Sequence, residues 1–385
     1  MSRTRFIEAE EAINQEDFLH PPFSCPDAMS PSLSVPTSVD FVKAADVKVI
    51  AALGDSLTTG IGANGSSILS IPFEFRQLSW SIGGYGTYPN VITLANILKV
   101  FNKNLLGPSP FATFHGRPST VNQTGFNFAV TGHNTLNMSG QIRHMIKTFK
   151  SYPGLSFDED WKVVTVLIGM NDICDYCKNK TLFSADNFIR YMTEALDMMM
   201  NQIPRTIVNV VQIPPMKPLR DVHKPTLGCR LQRRFCSCLV RPGENSAELK
   251  ELVELNVLFQ TKLQKLLQGQ RFFKRDFAVI LQPFLEKAGP PRLPDGSVDS
   301  SFFAADCFHF TVKGHEELAK GLWNNMFQPD GEKQMIDSFS EPIELICPPK
   351  EHPYIYTGPR VKKSAAPIVK ASTMSLIFIL VLFNY

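Results

Sequence analysis

Four short blocks of this 385-residue chain carry side chains suited to acyl-transfer chemistry. Gly54-Asp55-Ser56-Leu57 sets a serine directly after an apolar run. A serine hydroxyl is a poor nucleophile until a base takes its proton. A strand-to-helix turn beside a glycine exposes it, and the free N–H groups at the helix start can hold an oxyanion. Asp306-Cys307-Phe308-His309 places an acid three positions before an imidazole. That carboxylate can fix the ring tautomer, turn the other nitrogen toward serine and stabilise the imidazolium. Of eight histidines, only His309 has such a partner at a strand-to-helix junction. In Gly169-Met170-Asn171-Asp172, the Asn171 amide can donate to a developing oxyanion while Asp172 anchors the turn. In Asn127-Phe128-Ala129-Val130-Thr131-Gly132-His133, Gly132 lets a backbone N–H approach a substrate closely.

Taken singly, each block has a plainer reading. Ser56 can be a helix N-cap, Asp306 to His309 a surface loop, Asn171-Asp172 an Asx turn and Gly132 a simple turn. The elements around them give the blocks joint weight. Val47 to Leu53, Phe126 to Val130, Val163 to Ile168, Thr206 to Ile213 and Phe277 to Leu281 read as strands. Between them lie helical stripes over Asn90 to Phe101, after Ser139, after Ser184, after Asn245 with Glu248, and over Gly314 to Met326. Apolar strands alternating with amphipathic helices predict a parallel sheet covered on both faces. Functional residues of such sheets gather beyond the carboxyl ends of the strands, where all four blocks fall.

Residues 1–44 read as a Pro/Ser-rich lead-in arm, 45–345 as the domain, and 346–385 as a tail. The apolar content of 44% suffices for a full core, and the net charge of +3 without a long basic run excludes nucleic acid as a partner. Eight cysteines and the sequons at Asn64, Asn122, Asn137 and Asn179 point to a glycoprotein of an oxidising compartment. Met1 to His20 shows no apolar core of a signal peptide. Leu376 to Phe383 is apolar but shorter than the roughly 20 residues that span a bilayer. It is read as a truncated anchor, a lipid-anchor signal or a plain tail. Cys174-Asp175-Tyr176-Cys177 allows a zinc site with Cys229, Cys236 and Cys238, but disulfides bracing loops are the preferred reading, with pairings open. The apolar stretch Ile68 to Trp80 is either an acyl groove or bilayer contact, or a buried flap. Arg230, Arg233 and Arg234 are read as a solvated loop in preference to a phosphate site.

The four blocks, in this order, resemble those of the GDSL, or SGNH, hydrolases. More narrowly, Val49 to Ala63, Leu78 to Gly84, Asn96-Ile97-Leu98 and Asp306 to Gly314 resemble a single repeat of the membrane-associated phospholipase B type, over roughly residues 22–345. The resemblance implies a flavodoxin-like fold with a five-stranded parallel sheet between helices, and an esterase of phospholipids and lysophospholipids without metal or cofactor. It implies Ser56 as nucleophile, His309 as base with Asp306 as its partner, and an oxyanion hole from the N–H groups of Ser56 and Gly132 and the amide of Asn171. It also implies an extracellular or apical cell-surface location; a monomer working at a membrane surface is expected. Two departures stand out: Phe310 follows the histidine where many relatives have Pro or Leu, and one unit is present where the relatives carry several. The rival readings are a carbohydrate acetylesterase and a catalytically silent lipid-binding homologue.

Overall fold

The computed structural model describes residues 20–358 apart from Pro225, with the side chains of Gln232 and Arg233 also left out. The apolar run Leu376 to Phe383 lies outside the described residues.

The chain runs through β1 (Val47–Gly54), α1 (Ser56–Thr59), β2 (Phe73–Glu74), α2 (Leu94–Phe101), β3 (Thr113–Phe114) and α3 (Val121–Thr124). It continues through α4 (Met138–Ser151), β4 (Trp161–Leu167), α5 (Met170–Asp175), α6 (Ala185–Gln202), β5 (Thr206–Val211), α7 (Gln232–Phe235) and α8 (Ser237–Val240). The last elements are α9 (Ala247–Leu267), β6 (Phe273–Lys274), β7 (Phe277–Gln282) and α10 (Val312–Met326).

Five strands form the main sheet in the order β1-β4-β5-β7-β6. The first four are parallel, with Gly54 beside Leu167 and Val210 beside both Val166 and Leu281. The short β6 pairs antiparallel with β7, so the sheet is mostly parallel. The run Phe126 to Val130, expected as a strand, joins the free edge of β1 through one parallel bridge at Ala52. On its outer edge Arg76, and no further strand, takes its carbonyls.

Every residue of β4 and β5 is buried, which explains their mostly apolar and β-branched composition, broken only by Lys162 and Asn209. Each fully buried Val or Leu contributes about 1.5–3 kcal/mol. Helices α4, α6 and α9 pack in series, and α2 packs against α10. A small two-stranded sheet, β2 with β3, stands apart.

Some helix starts differ from expectation. Helix α2 begins after Thr93, whose Oγ1 accepts Asn96 N, because Asn90 closes a turn with Thr87 and Ile92 N donates to Glu316. In α9 it is Ser246, not Asn245, that accepts the N–H of Leu249. Ser184 caps α6 as expected. From His20 on, the segment before β1 packs on the body: Cys25, Val39, Val42 and Ala44 are buried in the main core, and Lys43 bridges to Tyr354.

Candidate active site

The nucleophile candidate owes its position to two neighbours. Gly54 has φ +153°, and a Cβ there would lie 2.5 Å from Leu167 O and 2.6 Å from Thr58 Oγ1. Only glycine lets the carboxyl ends of β1 and β4 come this close to the start of α1. Asp55, not Ser56, is the N-cap: its Oδ1 accepts Leu57 N at 3.0 Å. Ser56 is thereby freed as the first residue of the helix, and its Oγ lies 2.8 Å from His309 Nε2.

The candidate base comes from the loop before α10. Ala304 N donates to His309 O at 2.8 Å, closing a tight loop. Inside it Cys307 adopts φ +56°, a left-handed conformation that costs a non-glycine residue about 1–2 kcal/mol. The turn lets Asp306 Oδ1 accept the N–H groups of Phe308 and His309, both at 3.0 Å, while Oδ2 stands 2.6 Å from His309 Nδ1. Burial alone would raise the pKa of the Asp306 carboxyl, but His309 and the two N–H groups more than offset it and hold it below the usual value. A charged carboxylate therefore faces Nδ1–H and leaves Nε2 to take the serine proton.

The third group gathers at the ends of β4 and of the Phe126 to Val130 run. Gly169, with φ +123°, N-caps α5. Asn171 Nδ2 donates one N–H to His133 O at 2.9 Å, leaving the other N–H of the amide for a ligand. Gly132 has φ +84° with no atom within 4 Å of a Cβ built there, so the space beside it is open. Its loop is pinned from several sides. Asp172 accepts Thr135 N at 3.0 Å and also the Thr135 hydroxyl. Gln141 bridges the backbone N–H and carbonyl of Gly54 to His133 Nδ1.

Three of the predicted residues, Ser56, Asp306 and His309, thus form one hydrogen-bonded relay. Asn171 lines the same cleft as Ser56, and Gly132 connects to both through its neighbours Thr131 and His133.

That cleft is apolar. Beyond Ser56 and Asn171 it runs past Met170, then Met216 and Leu219 after β5, then Leu285 and Ala288 after β7, to Phe339. For Ile68 to Trp80 the sequence left an acyl groove or bilayer contact open beside a buried flap. There, Phe75, Leu78 and Trp80 are buried while Leu69 is 82% exposed, so this stretch is mainly a flap. The Pro214-Pro215 stop after β5 was the available signal for this cleft wall.

Several neighbours were not visible in the sequence. Asp55 is buried, and its Oδ2 has no hydrogen-bond partner. Burial pushes its pKa up to about 7, against the N–H of Leu57 and the charge of His309. Asp172 is likewise pushed up to about 7 by burial, partly countered by Thr135. His315 is buried, accepts Trp80 N through Nδ1, and is driven down to about 3 by burial and by His309. Phe235 and Phe308 pack edge-on against the His309 ring, at 5.7 and 5.0 Å between centroids.

Disulfides join Cys25–Cys347, Cys174–Cys236, Cys177–Cys238 and Cys229–Cys307. Three of them fasten the segment 229–238 to α5 and the turn after it on one side, and to the Asp306–His309 loop on the other. Among the described residues no cluster of His, Cys, Asp or Glu is arranged to hold a metal. Arg230 and Arg234 are exposed. Of the sequons, Asn122 and Asn179 are exposed; Asn64 and Asn137 are half-buried, and the Asn137 side chain caps the turn at Asn134.

Residues 50–322 match the family model described as GDSL-like Lipase/Acylhydrolase. The chain is 42% identical over 341 residues to "Phospholipase B1, membrane-associated" of Mus musculus, and 39% identical over 339 residues to the protein of that name of Homo sapiens. These matches cover 87% and 86% of this chain, which in each case spans only 23% of the relative's length. Among solved structures, phospholipase A1 from Streptomyces albidoflavus NA297 is 14% identical with a TM-score of 0.31, covering 70% of this chain and 94% of its own. A carbohydrate esterase family 3 from Talaromyces cellulolyticus is 14% identical with a TM-score of 0.33, covering 70% and 92%.

Proposed function

The chain belongs to the GDSL-like lipase/acylhydrolase family, and from that premise we propose that it is a serine esterase cleaving the fatty-acyl esters of phospholipids and lysophospholipids. The observation that carries the reading is the unbroken relay from Ser56 Oγ through His309 to Asp306, at 2.8 and 2.6 Å.

In this reading Ser56 Oγ attacks the ester carbonyl as His309 Nε2 takes its proton. The oxyanion is held by the N–H groups of Ser56 and Gly132 and by the free N–H of Asn171. As the carbonyl re-forms, the bond to the leaving alcohol breaks and His309 returns the proton to it. Water, activated by the same imidazole, then attacks the acyl-serine and releases the fatty acid. The buried charge of Asp306 favours the imidazolium in both halves. No residue in this sequence of steps calls for a metal or cofactor.

The apolar cleft beside Ser56 supports a long acyl chain over an acetyl group, and the printed name of the Mus musculus relative supports a phospholipid. The silent-binder alternative is disfavoured because each member of the relay is present and bonded. Pairing of all eight cysteines supports residence outside the cytosol. Among the described residues no helix is long and apolar enough to cross a membrane.

The test is hydrolysis of phosphatidylcholine and lysophosphatidylcholine by wild type and Ser56→Ala. The alanine variant is expected to lose at least about a thousand-fold in kcat. An intact chain that releases acetate from acetyl esters but no fatty acid from either lipid would favour the acetylesterase.

A further inference from the structure

The insertion after α1 contributes more than apolar cover. Glu74 at the end of β2 and Arg76 just after it pair there, each side chain only 6% exposed. Two charges withdrawn from water are tolerated only with close geometry and every remaining donor and acceptor satisfied. Arg76 Nε and Nη2 donate to Glu74 Oε2 at 3.1 and 2.6 Å, and Nε also reaches Thr113 Oγ1 at 2.7 Å. Nη1 donates to the carbonyls of Asn127 and Ala129, both at 3.1 Å.

Those two carbonyls are the ones the sheet leaves open. Phe126 O and Phe128 N bond to Ala52 of β1, so in an alternating strand residues 127 and 129 face the free edge. Arg76 closes that edge in place of another strand. Glu74 then extends the contact toward the site. Its Oε1 accepts from Thr131 Oγ1 at 2.7 Å, and Thr131 Oγ1 lies 2.8 Å from Thr59 Oγ1, itself 3.2 Å from Ser56 O. Thr131 immediately precedes Gly132, and Thr59 belongs to the helix that Ser56 opens. The chain of contacts therefore starts at a buried ion pair and ends on both sides of the oxyanion pocket. The other titratable group near Glu74 is the half-exposed His115, 3.7 Å away. Burial would raise the Glu74 pKa, but Arg76, Thr113 and Thr131 outweigh it and hold the carboxyl low.

We infer that Glu74 and Arg76 are positioning residues for the oxyanion site, holding the N–H of Gly132 over Ser56 by way of Thr131 without touching substrate. The inference rests on the esterase reading above and adds the elements that tune it. It predicts that loosening this clamp raises the barrier to chemistry and leaves substrate binding alone.

The experiment compares Thr131→Val, Thr131→Ser and Arg76→Lys in the full chain, each alone and combined with Asn171→Ala. It reads kcat, KM and Tm with p-nitrophenyl butyrate. Thr131→Val has nearly the shape of the original but takes the donor from Glu74 Oε1, so its Tm should fall by a few degrees while the variant stays folded. Its kcat is expected to fall roughly tenfold with KM within about twofold, since small displacements of a reacting geometry cost one to two orders of magnitude. Thr131→Ser restores the hydroxyl and should restore kcat. In the Asn171→Ala background the loss should shrink to less than about threefold, because both changes act on the same developing charge. Arg76→Lys keeps the charge but cannot span the fork, and should show the same pattern. If it does not fold, the Thr131 series decides alone. A Thr131→Val enzyme with wild-type kcat, or one whose loss adds in full to that of Asn171→Ala, overturns the inference. A wild type that hydrolyses no ester, or a Ser56→Ala variant that still does, fails the esterase reading itself and takes this inference with it. An active, Ser56-dependent enzyme indifferent to Thr131 fails the inference alone.

Discussion

Replacing Asp306 by asparagine separates the architecture of the site from its chemistry. The carboxylate has two jobs on two oxygens: Oδ1 accepts the N–H groups of Phe308 and His309, and Oδ2 faces His309 Nδ1. In Asp306→Asn the side-chain carbonyl can keep both backbone bonds, so the loop should hold. The amide NH₂ then faces Nδ1 and donates to it, which obliges the ring to carry its proton on Nε2. That nitrogen, 2.8 Å from Ser56 Oγ, can no longer accept the serine proton. A wrong tautomer in a serine triad costs roughly 10⁴ in kcat, or about 5.5 kcal/mol. Because Asp306 is 0% exposed, no solvent route for reorienting the amide is at hand. The assay is kcat for p-nitrophenyl butyrate beside a thermal melt. A large kcat loss with Tm lowered by no more than a few degrees is expected, and Asp306→Ala, which also drops the two backbone bonds, should melt lower. Retention of more than about a tenth of wild-type kcat by Asp306→Asn would refute the assigned role of Nε2.

Two further outcomes follow from the site. Asp55 carries a pKa of about 7 in the folded chain against 3.8 as its ordinary value, chiefly through burial. An acid raised on folding binds more protons folded than unfolded, so its penalty grows as pH climbs through that window and is complete above the folded value. Asp55→Asn, which still caps α1, should therefore stabilise the protein by about 2–3 kcal/mol more at pH 8 than at pH 5; an equal gain at both pH values in chemical denaturation would contradict this. Met216 is buried and lines the cleft after β5. Met216→Trp should lower the ratio of decanoate to butyrate ester kcat/KM by about tenfold or more, and an unchanged ratio would move the acyl chain elsewhere.

Legibility in the sequence tracks how local each interaction is. Asp306 and His309 sit three positions apart in one loop, and Ser56 follows its strand directly, so type and spacing were enough. Strands β4 and β5 were legible because burial on both faces leaves runs dominated by Val, Ile and Leu. By contrast, Asn90 lies on the periodic stripe of α2 yet stays outside the helix, since its carbonyl side chain is engaged by Thr87. No pattern shows β6, two exposed residues long. Glu74 and Arg76 look like ordinary charges in an apolar stretch. Their meaning arises from carbonyls more than 50 positions away. The cleft wall is assembled from the ends of different strands, and Phe235 meets His309 across more than 70 positions of chain.

The cystine pattern also bears on how the chain matures. Cys174 and Cys177 stand one turn apart on one segment, and their partners Cys236 and Cys238 are two positions apart on the other. Exchanging partners would need only a small slide, so rapid oxidation should trap chains in swapped isomers. Proofreading must happen while a thiolate is still available to attack, because thiol–disulfide exchange stops without one. With all eight cysteines paired, the finished chain holds no internal reagent to correct itself. Whatever isomer is sealed last is permanent until an outside thiol arrives.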